Sequence, residues 1–217
     1  MEDFDDIRPY KDSEVADVMS RLLKNDEFFT AIAKFQIPRL YKILPWLAKI
    51  LVKRSLVKKL GGIKSINDVQ NNISTYVESL LAKTTTGLTE DGLGDSNQST
   101  SHLFMSNHRD IVMDPAMVSY LLHGSVHGTI QIAIGDNLLK KEFISDLMRL
   151  NKSFIVKRSV QGREKLLASK QLSQYIHHSI DERDNVWIAQ REGRAKDGID
   201  VTDPAILKML HMSKRGP

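Results

Sequence analysis

The chain has 217 residues and no cysteine, and its 31 Lys and Arg against 27 Asp and Glu leave a formal net charge of +4. That length suits one domain, alone or with an extension, and the lack of cysteine excludes disulfides and thiolate metal sites and fits a reducing compartment. The acidic start, Met1-Glu-Asp-Phe-Asp-Asp6, is no basic-then-apolar leader, and no run is apolar and long enough to span a bilayer; the expected place is the cytoplasm, free or peripheral to a membrane.

Residues 12–27 carry a helical pattern with Val15, Val18, Leu22 and Leu23 on one side. From Phe28 to Asn67 there are nine basic residues and no acidic one. Pro38 and Pro45 are each predicted to end or kink a helix there. Around the second break a helical wheel groups Leu40, Leu44, Leu47 and Leu51 against Lys42, Lys49 and Lys53, with Tyr41 and Trp46 nearby. Such a stripe fits a helix pair packed on the domain with its lysines in water. It also fits an interfacial helix that dips Leu and Trp into a bilayer while lysines meet anionic head groups. Nucleic acid is not an expected partner, because apolar residues in this segment outnumber those of a groove-binding arm. Ile66 to Leu81 reads as an amphipathic helix through Val69, Ile73, Val77 and Leu80. The polar, glycine-dotted residues 84–101 read as a mobile loop between an N-terminal helical extension, 1–83, and a core, 102–217.

Beyond that loop the pattern alternates. Strands at Leu103–Met105, Ile130–Ile134, Ser153–Lys157 and Val186–Ala189 lead to helices at Pro115–Leu122, Leu138–Leu150, Gly162–Ser179 and Pro204–Met212. Crossovers of that length demand a mostly parallel sheet covered by helices, so the expected class is α/β. Ligands on such sheets bind beyond the carboxyl ends of the strands. Those ends carry His108 and Asp110, then Gly135 and Asp136, then Lys157 and Arg158, then Arg191, Glu192, Gly193 and Arg194. His108 sits in Asn107-His-Arg-Asp-Ile-Val-Met-Asp-Pro115, with Asp110 and Asp114 both close enough to orient an imidazole. Asp114-Pro115 reads as a helix N-cap with proline at the first helical position. An imidazole held by a carboxylate is a general base, and arginine forks bind phosphate. A base facing a phosphate pocket suggests a phosphorylated alcohol as nucleophile. His123-x3-His127 has helical metal spacing, but Gly124 and Gly128 favour a loop, and no metal site is expected.

Asn107-His108 with Asp114, then Phe154-Ile-Val-Lys-Arg158, then Arg191-Glu-Gly-Arg194, in this order on strand ends, resembles the glycerolipid acyltransferase family over about Leu103 to Met212. The resemblance implies transfer of an acyl group from coenzyme A or acyl carrier protein to a glycerol-phosphate-type hydroxyl, with no further cofactor. By the same resemblance His108 is the base, a nearby aspartate orients it, and Arg158 with Glu192, Gly193 and Arg194 holds the acceptor phosphate. Lys157 and Arg191 are further candidates as cations at the same ends. The family's H-x4-D spacing falls on Met113 here; Asp114 (H-x5-D) is the favoured aspartate and Asp110 (H-x-D) its alternative. The usual P-E-G-T-R block reads Arg191-Glu-Gly-Arg-Ala, and a last V-P-I-type strand does not follow, so the core is expected to be incomplete at its C-terminal side. These departures keep open a noncatalytic membrane- or partner-binding protein with the same fold.

Overall fold

The computed structural model describes residues 4–95, 100–125, 128–199 and 201–214. Proline lacks the amide that a helix interior needs but suits its first turn. Both prolines of the basic segment therefore open helices: after α1 (Asp12–Leu22) and α2 (Asp26–Gln36) come α3 (Pro38–Ile43) and α4 (Pro45–Leu60). The long helix α5 (Ile66–Thr84) starts at a Ser65 cap, whose hydroxyl accepts from the Asp68 amide at 3.1 Å. Of the loop expected over 84–101, one short 3-10 turn covers Leu93–Asp95, and residues 96–99 lie outside the described residues.

The rest alternates: β1 (Leu103–Ser106), α6 (Met113–His123), β2 (Ile130–Gly135), α7 (Glu142–Leu150), β3 (Ser153–Val156), α8 (Gly162–Asp181), β4 (Asn185–Ala189) and α9 (Pro204–Leu210). The four strands are parallel, in the order β1-β4-β2-β3, giving the expected α/β sheet wrapped by helices. One face, through Ile130, Ile132 and Trp187, packs on Leu122 of α6. The other, through Phe154, Val186 and Ile188, packs on α8 and α9. Burial on both faces fits the apolar runs of β3 and β4. At the amino end of β2, buried Gln131 donates to Asp184 at 2.8 Å and accepts from the Tyr175 hydroxyl at 2.5 Å.

The helices before the sheet do not form a closed unit. Val15, Leu22, Phe28 and Val52 share one core with Phe143 and Leu150 of α7. Phe4 and Ile7 instead join the sheet core, where the Ile7 carbonyl accepts from the Ile155 amide at 2.8 Å and covers the outer edge of β3.

Two local expectations change. Leu44 leaves the helical conformation, with φ −134° and ψ 75°, so the helix phase restarts at Pro45 and the single leucine stripe breaks. Ala48 and Val52 are the buried line of α4, while Leu44 and Leu51 are exposed. At the surface Lys49 bonds Asp26 at 2.8 Å, and exposed Lys53 lies 5.5 Å from the Phe29 ring centre. The helix expected from Leu138 starts later, because residues Asp136–Leu138 form a 3-10 turn that precedes α7.

Candidate active site

The pairing of β1 with β4 builds the site. Ser106 stands beside Ala189 in register, so Asn107-His108 and Gln190-Arg191 leave the sheet side by side. The Gln190 amide donates to the Ser106 carbonyl and the Ala195 amide to the His108 carbonyl, each at 2.8 Å. The loop after β4 is thus fastened to the main chain of His108 itself. Within it Gly193 has φ +77°, a left-handed conformation that a side chain would strain.

His108 Nδ1 lies 3.1 Å from Asp114 Oδ2, and its ring meets Trp187 edge to face at 5.7 Å between centres. The same Asp114 oxygen accepts from the amides of Arg109 at 2.5 Å and Asp110 at 2.9 Å, which leaves the carboxylate little freedom to turn. Asp114 is therefore not the helix cap that its place before proline suggested; it is the second residue of α6. Asp110 takes the capping work, accepting from the Val112 and Met113 amides at 2.9 and 2.7 Å. Those two amides, Met113 foremost, hold the Asp110 carboxyl below its usual range, and the nearby charges of Arg194 and His108 add to the effect. Of the two candidate aspartates, Asp114 is the one bonded to the imidazole.

At the other sheet edge, the stem of Arg158 crosses the end of β2. A Cβ on Gly135 would come within 3.1 Å of Arg158 Cδ and Nε, so the missing side chain gives the arginine its passage toward the sheet centre. Its amide is held by Asp136 at 3.0 Å. Burial pushes the Asp136 carboxyl up, but bonds from the Ser159 hydroxyl and from the Arg158 and Ser159 amides outweigh it and hold the group below its usual range. Asp136 thus pins the turn after β3. Lys157 lines the same cavity as Arg158, and its ammonium pairs with Asp6 and bonds Gln171 at 3.1 Å, tying down the N-terminal segment. Arg191 reaches the Ile199 carbonyl at 3.4 Å and helps close its own loop. Among the described residues, Arg158 and Arg194 are in no ion pair.

His108, Arg158, Arg191, Glu192, Gly193 and Arg194 line one cavity of about 710 Å³. That is within the roughly 300–1,000 Å³ usual for sites that enclose small molecules. The lining also includes Ile73, Val77 and Leu80 of α5, Met113 of α6 and Met148 of α7, which form an apolar wall. On the other side Lys165, Ser169 and Leu172 of α8 face it. The α5 wall was missed in the sequence; its apolar stripe was plain, but nothing in it names the surface that the stripe covers. A cavity lined by cations, a pinned imidazole and an apolar wall suits an amphiphile with one anionic end.

His123 Nε2 lies 3.0 Å from Asn71 Oδ1, and His127 is outside the described residues. Among the described residues no three His, Asp or Glu side chains gather to hold a metal ion, and no helix is long and apolar enough to cross a membrane.

No curated protein matches the sequence. A family model described as Acyltransferase matches residues 88–214, more than half of the chain, covering every strand of the sheet and the whole strand-end cluster. The chain belongs to the acyltransferase family, enzymes that move an acyl group from a donor to an acceptor.

Proposed function

We propose that this chain moves a fatty acyl group from a thioester, on coenzyme A or an acyl carrier protein, to the hydroxyl of a glycerol-phosphate-type acceptor in phospholipid synthesis. The observation that carries the reading is the cavity lined by both His108, paired with Asp114, and the cations Arg158 and Arg194, which are in no ion pair among the described residues. In the step, the acceptor oxygen attacks the thioester carbonyl carbon while His108 takes the hydroxyl proton. Asp114 holds Nδ1 and stabilises the imidazolium, which leaves Nε2 as the proton acceptor. The tetrahedral intermediate then expels the thiolate, which receives that proton, so ester and free thiol form with no covalent enzyme intermediate. General-base help supplies about 10²–10⁴-fold, and positioning much of the rest. Arg158 and Arg194 hold the phosphate, and the apolar wall from Ile73 to Met148 accepts a fatty chain. The scheme calls for no metal or cofactor.

A peripheral membrane contact through residues 28–64 belongs to the same reading. Phe35, Ile43, Trp46 and Ile50 are exposed apolar side chains on α2 to α4, and Arg39, Lys42, Arg54 and Lys58 are exposed among them. That mixture suits an anionic lipid surface on the cytoplasmic side. The test is thiol release from acyl-coenzyme A and from acyl carrier protein with a phosphorylated glycerol acceptor. Turnover should vanish in folded His108→Ala; full turnover in that variant would sink the base assignment. No turnover by the native protein with either donor would favour a noncatalytic lipid-binding role.

A further inference from the structure

Away from His108 the cavity lining is not purely apolar. On α5, Gln70, Ile73, Val77 and Leu80 line it at helical spacing, and on α7 Ile144, Met148 and the C-cap residue Asn151 do the same. Both rows end on an amide, and the two amides meet: Gln70 Nε2 donates to Asn151 Oδ1 at 2.8 Å. The course of α6 shows which end of the cavity this is. Asp114, in its first turn, holds His108, whereas His123, its last residue, bonds Asn71, the neighbour of Gln70, at 3.0 Å. At 1.5 Å per residue, the helix from Asp114 to His123 separates the amide pair from the imidazole by about 14 Å. The sheet agrees, because Asn151 precedes the amino end of β3 and Arg158 follows its carboxyl end.

Two side chains at this far end are almost fully buried and yet incompletely bonded. Gln70 is 4% exposed and Ser153, the first residue of β3, is 2% exposed, and both line the cavity. Among the described residues, Gln70 Oε1 accepts no hydrogen bond and the Ser153 hydroxyl makes none. Buried polar groups are bonded as a rule, and leaving one open costs more than a bond gains. Every Lys, Arg, Asp and Glu of the lining follows β3 or β4 on the carboxyl side of the sheet, so the far end is polar but uncharged. An acceptor and a hydroxyl without charge suit a neutral hydroxyl group better than a carboxylate or a bare methyl end. We propose that Gln70, Asn151 and Ser153 form a second subsite, which binds a hydroxyl carried at the far end of a fatty chain. That hydroxyl donates to Gln70 Oε1 and accepts from Ser153, while the methylenes lie along Ile73, Val77 and Met148. Naming the chain as the transferred acyl group rests on the acyl-transfer reading; the subsite itself does not.

Alkyl phosphates test the subsite without any turnover. A series of n-alkyl phosphates of increasing length, and its counterparts with a terminal hydroxyl, are titrated into the protein by calorimetry below their micelle concentrations. At the length that reaches the subsite, the hydroxylated probe should bind about 3- to 10-fold tighter than the plain one, the effect of one net hydrogen bond. In Gln70→Leu the order should reverse, with the plain probe binding at least as well as to the native protein, a result that a damaged fold would not produce. Ser153→Ala is the smaller change; it should remove most of the preference and decides the matter where Gln70→Leu does not fold. Equal affinity of the two probes at every length would overturn the proposal and leave water as the occupant. Equal loss of both probes in the folded variants would overturn it too, as would no binding of either series.

A second arm reads the chain. Coenzyme A thioesters of the matching plain and hydroxylated acids should show the same preference in kcat/KM as the probes show in binding. Turnover without that preference would remove the claim that the chain is the acyl group. No turnover with any thioester, beside an intact probe preference, would refute acyl transfer and leave the subsite standing.

Discussion

The Asp114 carboxylate holds His108 Nδ1 at 3.1 Å through an oxygen that two backbone amides, of Arg109 and Asp110, already fix in place. Asp114→Asn keeps an oxygen for those amides but cannot stabilise an imidazolium. Its kcat should fall about 10²–10⁴-fold with KM nearly unchanged. Asp110→Ala removes instead the bonds to the Val112 and Met113 amides at the start of α6 and should lower stability slightly while kcat stays within a few-fold. Thiol release and urea unfolding on the two variants check this; the reverse pattern would move the orienting role to Asp110.

Arg158 crosses the end of β2 over Gly135 and shares the cavity with His108. A charged hydrogen bond to phosphate contributes roughly 1.5–3 kcal/mol, so Arg158→Ala should raise KM for a phosphorylated acceptor about 10- to 100-fold. KM for the thioester should hardly move. If the dephosphorylated alcohol suffers the same loss, Arg158 serves the fold or the donor and not the phosphate.

How far these sites were legible in the sequence follows from which forces are local. The strands could be read from apolar runs between turn residues, and each run ends within a residue or so of its observed strand. His108 and the Arg191–Arg194 loop could be placed at strand ends for the same reason. That β4 lies between β1 and β2, which fastens Ala195 to His108, is decided by how crossovers pack and leaves no mark on any single segment. The division of labour between Asp110 and Asp114 turns on angles within one turn of chain. That Lys157, at the same cavity, pairs with Asp6 depends on a partner from the far end of the sequence. The phase of α4 was lost because Pro45 restarts the helix after a non-helical Leu44.

Ile43 and Trp46 flank that break and are 76% and 60% exposed. Replacing both with serine should leave folding within about 0.5 kcal/mol, as surface changes usually do. Each apolar side chain that enters a bilayer contributes on the order of 1.5–3 kcal/mol, so the double variant should bind anionic vesicles at least ~10-fold more weakly. Vesicle sedimentation at low and high salt separates this loss from charge attraction: it should persist at high salt, where screening removes the lysine contribution. Unchanged binding would leave α3 and α4 as packing elements only.

Tyr175 offers a test of the sheet core that does not depend on function. Its hydroxyl donates to the buried Gln131 at 2.5 Å, and burial is the main cause that pushes its pKa from 10.0 up to about 12. The folded state therefore prefers the neutral phenol. Its contribution is fully present below pH 10, the unfolded value, and is lost as pH rises through about 12. A shift of that size corresponds to about 3 kcal/mol between neutral and strongly alkaline solution. Urea midpoints of the native protein should decline over that alkaline window. Tyr175→Phe removes the titrating group, so its midpoint should start lower, because the Gln131 oxygen loses a donor, and should then decline less steeply. Parallel declines in the two proteins would mean that other groups, and not the buried phenol, set the alkaline limit.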